Sequence, residues 1–137
     1  SVQTPHKVVL NQMPPKNSAA TRTLRARRIA LPVFMGRISP VLDTCDMLLL
    51  PEPGSKKQVV YRTIPMKGLS IYERTSEMKK LGIQFIICGA VSQSFYNLIK
   101  ESGIDVRCGI NGEIEEVVQA HCDGKLDQHR FRMPGSD

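Results

Sequence analysis

Cys88 closes an apolar run and Cys108 closes a strand candidate, and each is followed at once by glycine, in ICGAVS and RCGING. A thiolate donates to soft metals, a glycine lets the backbone come close to a ligand, and the amides opening a following helix favour an anion. With Gly89, Ser92 and Gly109 these cysteines form two candidate binding turns, and Cys88 and Cys108 are the candidate metal ligands. A buried free thiol is the competing reading for each. The loop 35–40 supplies a third wall, in which Met35 offers a soft thioether and Arg37 a positive charge that need not touch a metal. His121 is the weaker metal candidate, because its spacing from Ile114 and Val118 turns it towards a sheet. Its neighbour Cys122 points about 100° away on an ideal helix, so one ion cannot readily take both.

Catalytic chemistry is not organised by these residues. The sequence has no nucleophile elbow, no zinc-hydrolase spacing and no glycine-rich phosphate fingerprint, so no catalytic residue is assigned and the chain is not read as an enzyme. The four cysteines, at 45, 88, 108 and 122, lack the close pairs of structural zinc or iron–sulfur sites. Individually placed thiols suit a reducing compartment, and the cytoplasm is the expected location.

A chain of 137 residues with 41% hydrophobic content suits one globular domain. No apolar run approaches the roughly 18 residues of a membrane span. Charge is uneven: residues 1–28 hold six of the 19 basic residues and none of the 13 acidic ones, so the formal net charge of +6 belongs to that segment. Residues 1–27 therefore read as a flexible basic leader, and as a nucleic-acid-binding or protein-interaction tail in the alternative. No aromatic residue stands there to stack on a base.

The elements that must position the turns follow from periodicity. Strands are expected at 29–34, where Pro32 should end or bulge the ladder, at 47–50 and at 58–64, the last two forming a hairpin. A helix is expected over 69–81, a buried strand over 83–88, a helix from Ser92 to a stop at Gly103, a strand over 104–108 and a helix from 111 or 112 to Gly124. Residues 126–133 read as a loose end or an edge strand. The order is that of a layered α/β domain with a mixed sheet.

Four ordered blocks, RIALPVFMGRISPVLD (28–43), GIQFIICGAVS (82–92), GIDVRCGINGEIEEVV (103–118) and the closing GKL (124–126) with MPG (133–135), resemble the nitrogenase iron–molybdenum cofactor biosynthesis domain family. The resemblance covers residues 28–135, leaving 136–137 as a tail. It implies a three-layer, five-stranded mixed sheet of ribonuclease H-like architecture, without nuclease activity. Related members bind or carry nitrogenase cofactor intermediates or other molybdenum-containing clusters. The implied function is therefore non-catalytic binding or delivery of an iron–sulfur or molybdenum-containing cluster, with a cluster donor or acceptor protein as partner. Cys88 matches the family's central strand and turn, and residues 35–40 match the form of its opening loop. The resemblance alone secures neither Cys108 nor His121.

Overall fold

The structure is a computed structural model that describes residues 7–8, 18–128 and 131–133. Six strands pair in one line. Lys7–Val8 (β1) lies at one edge, followed by Val59–Pro65 (β5), Met47–Pro53 (β4), Ile29–Phe34 (β2), Phe85–Ile87 (β6) and Asp105–Arg107 (β7). The first four are antiparallel neighbours, whereas β6 runs parallel to both β2 and β7. A two-residue strand, Arg37–Ile38 (β3), folds back on the end of β2. Helices cover both faces: Ser18–Ala26 (α1) and Ile114–Cys122 (α4) on one, Ile71–Lys80 (α2) and Gln93–Glu101 (α3) on the other.

The period-2 alternation of the strands sorts the core. Ile29, Leu31, Leu49 and Ile87 pack beneath α1 and α4, while Ala30, Leu48, Leu50 and Ile86 pack beneath α2 and α3. Helix α2 starts where the sequence allows a reciprocal cap: Ser70 Oγ accepts from the Glu73 N–H, and the Glu73 carboxylate accepts from the Ser70 N–H. Arg74 of α2 is 4% exposed, and its guanidinium donates to the carbonyls of Leu69 and Cys45 at 2.8 and 2.6 Å, tying the helix to the chain entering β4.

Several expectations change. The sheet has a sixth strand beyond the five implied, because Lys7–Val8 pairs with Arg62 and Tyr61. The leader does not run to residue 27 as an extension: α1 packs on the sheet with Ala20 1% and Leu24 4% exposed, so its arginines flank an apolar stripe. The rest of residues 1–17 lies outside the described residues. Pro32 neither ends nor bulges β2. Its carbonyl accepts from the Ser39 N–H on the side where β6 is no longer paired to β2, so the proline's missing donor falls where no ladder needs it. The loop 35–40 contains β3, and among the described residues of 126–133 only Arg132 makes a bridge, to Ile110.

Candidate functional site at the ends of the parallel strands

Because β2, β6 and β7 are parallel, their C-terminal ends share one edge of the sheet, the usual place for a ligand in an open α/β sheet. The three turns there are stitched by main-chain hydrogen bonds. Gly109 N–H donates to Gly89 O at 2.8 Å and Ile110 N–H to Cys88 O at 3.0 Å. Ala90 N–H donates to Pro40 O, and Leu42 N–H to Ala90 O. Ile38 N–H donates to Gly112 O and Ile114 N–H to Gly36 O, so the 35–40 loop also touches the start of α4. Glycine is required at 89, since a Cβ there would stand 2.7 Å from Pro40 O.

The tip of the β2–β3 hairpin is Met35-Gly36, with φ of 52° and 78°. Two consecutive left-handed residues suit a tight hairpin, yet at Met35 that conformation carries a steric cost, and the side chain is 83% exposed. Phe34 beside it is 59% exposed. They border an apolar groove of about 430 Å³ whose floor includes Val33, Met47, Leu49 and Thr63. Arg37 stands 3.8 Å from Glu113, with both side chains more than half exposed.

The two cysteines separate. Cys88, in phase with Ile86, turns into the α2–α3 core and is fully buried. Burial pushes its thiol up to about 12, helped by Cys108, Cys45 and Asp43, so it stays protonated at neutral pH. Its main chain, rather than its sulfur, belongs to the turn. Cys108 is exposed. Ser92 caps α3, its Oγ accepting from the Phe95 N–H at 3.1 Å. Asp43, which sequence reasoning did not single out, accepts from both the Ser92 N–H (2.8 Å) and the Ser92 hydroxyl (2.5 Å). It thereby fastens the loop to α3.

His121 is not brought to this edge. It stacks against Phe85, the first residue of β6, with ring centroids 5.4 Å apart. Phe85 and Cys88 are three residues apart along an extended chain, about 10 Å. His121 and the cysteines thus occupy opposite ends of the parallel strands. Its Nε2 is buried without a hydrogen-bond partner. Burial, with the nearby Arg27 guanidinium, holds its pKa below the ordinary value. Among the described residues no three His, Cys, Asp or Glu side chains gather where a metal ion could be held. The edge therefore does not fit a bare ion. It offers one exposed thiol, a thioether and a guanidinium on a rigid frame.

No family model matches the chain. An uncharacterized protein of Methanocaldococcus jannaschii is 25% identical over 115 residues, which are 79% of this chain and 98% of that protein. Among solved structures, the apo form of the orange protein from Desulfovibrio gigas matches with a TM-score of 0.59 at 18% identity, over 77% of this chain and 95% of its own. A candidate dinitrogenase from Methanocaldococcus jannaschii matches with a TM-score of 0.58 at 15% identity, over 76% and 95%. At these identities the likeness is one of fold: the chain shares the mixed α/β architecture of the orange protein and the candidate dinitrogenase.

Proposed function

We propose that the protein binds or hands on an anionic metallocluster, iron–sulfur or molybdenum-containing, without catalysing a reaction on it. The observation carrying this reading is the edge at which the turns bearing exposed Cys108, exposed Met35 and Arg37 are joined to one another by main-chain bonds. The cluster is cargo with its own inorganic ligands, so the protein need supply only one thiolate donor and charge complementarity, not a ligand shell. Fold likeness to the orange protein and to a candidate dinitrogenase supports the theme. The same reading takes the architecture as ribonuclease H-like, with the antiparallel β5-β4-β2 half joined to parallel β6 and β7. A cluster donor or acceptor protein would dock over the apolar groove beside Phe34 and Met35.

Anaerobic incubation with a thiomolybdate or a reconstituted iron–sulfur source, followed by desalting, elemental analysis and visible spectroscopy, tests the proposal. Stoichiometric uptake that falls sharply in Cys108→Ser, falls in Arg37→Ala and persists in Cys88→Ser is the expected result. No uptake by the folded protein, or loss with His121→Ala and not with Cys108→Ser, overturns it.

A further inference from the structure

At the opposite edge of the sheet, where β2 begins and β4 ends, a polar pocket of about 320 Å³ opens between the last turn of α1 and residues 51–53, with Gly82 and Gln84 closing it. Arg25 and Arg28 line it together with Glu52. The Glu52 carboxylate is 17% exposed and already held by Arg62 at 2.6 Å; Arg28 reaches the same oxygen only at 3.6 Å. Arg25 is exposed, with no ion pair among the described residues. Two guanidiniums thus share the Glu52 carboxylate, and Arg25 adds a further positive charge to the same pocket. One cation satisfies Glu52, so the pocket carries excess positive charge that favours an anion.

Gln84 adds a side-chain amide to the wall. Its side-chain oxygen accepts from the Arg28 N–H at 2.9 Å, while its own N–H donates to Arg28 O at 2.8 Å. With the oxygen so fixed, the amide NH₂ is the free limb of that side chain. Pro51 and Pro53 bring no N–H to the wall, so side chains must do the recognition. Planar guanidiniums with a neighbouring amide suit the tetrahedral oxygens of phosphate, which arginine meets in bidentate fashion. The volume lies at the lower end for small-molecule sites.

We propose that this pocket binds a phosphomonoester, either free phosphate or the terminal phosphate of a small molecule such as a nucleoside monophosphate. The site is separate from the cluster-binding edge and does not depend on that reading. Amide NMR titration of the intact protein at constant ionic strength tests it, with inorganic phosphate, a nucleoside monophosphate, a single-stranded phosphodiester oligonucleotide and chloride as probes. Saturable shifts centred on Arg28, Gly82 and Gln84 are expected with the first two and not with chloride. Arg25→Ala, at an exposed position that leaves the core untouched, should weaken binding by about fivefold or more, the loss of one charge-assisted contact. Glu52→Gln should tighten it by releasing Arg28. Shifts spread evenly over Lys56, Lys57 and Lys67, unchanged affinity in Arg25→Ala, or binding of the oligonucleotide alone would overturn the proposal. An oligonucleotide-only result would favour a nucleic-acid tail instead.

Discussion

Thiol chemistry separates four residues that composition treats as equals. Cys45 and Cys88 are buried, Cys122 is partly buried with its Sγ 3.8 Å from Ala20 O, and Cys108 is exposed. Burial raises the thiol pKa of Cys45, and pushes Cys88 and Cys122 from an ordinary 9.0 to about 12. Since the thiolate is the nucleophile, alkylation of the native protein near pH 8 should label Cys108 first, and Cys45 and Cys88 only after denaturation. Peptide mass spectrometry after timed iodoacetamide exposure reads this directly; early label on Cys88 would contradict its placement. Met35 makes the second residue-scale prediction. A left-handed methionine costs about 1–2 kcal/mol, and asparagine or glycine relieves part of it, so Met35→Asn should raise stability by about 1 kcal/mol in urea unfolding. If Met35 serves binding, the same variant should lose cluster uptake or partner affinity, a trade of stability for function.

Elements meet at the Asp43–Ser92 contact, 49 positions apart in the chain. Ser92 supplies an ordinary N-cap, worth about 1 kcal/mol against alanine. Asp43 adds a carboxylate that takes two donors at the positive end of α3, so Asp43→Ala should cost about 1–2 kcal/mol. The two losses should not add, because each removes a group the other bonds; a double-mutant cycle in urea should give a coupling of about 0.5 kcal/mol or more. The cap at Ser92 was legible because a serine preceding an apolar 3-4 pattern is a local signal. Its aspartate was not, since nothing local links residue 43 to a helix 49 positions further along the chain. Strand phase shows the same division. Ile86 and Cys88 share a face by simple alternation, which already assigns Cys88 to the core once β6 has a helix on each side. The α1 stripe of Ala20 and Leu24 is masked in the sequence by four arginines within 22–28 and by Pro14 and Pro15 upstream. Only the sheet beneath shows that its apolar side has a place to pack.

Across the whole molecule, the two edges of the parallel strands carry different chemistry, and linear order hides which residue lies at which. His121 follows Cys108 by 13 positions, yet α4 runs back across the sheet and delivers it beside Phe85 at the far edge. There Arg27 lies 4.2 Å over the Phe85 ring and pairs with Asp105, which Lys100 also holds. Protonating His121 would place a cation in this half-buried group next to Arg27, with Nε2 lacking an acceptor. The folded-state pKa is therefore depressed below the ordinary 6.5. As pH falls through that value the unfolded chain takes up the proton first, so stability is full above it and is lost as pH drops towards the folded-state pKa. The slope cannot exceed about 1.4 kcal/mol per pH unit for one proton. Asp105 shifts in the same sense, but its effect begins only below its ordinary 3.8, so the two limbs are separable. The sequence holds two further histidines, His6 and His129, and the assignment therefore rests on a variant. His121→Leu, which keeps an apolar side chain against Phe85, should abolish the loss of urea stability that sets in as pH falls below about 6.5 while leaving the limb below pH 4. An unchanged slope in that variant would mean that the neutral imidazole is not what the packing of α4 against β6 requires.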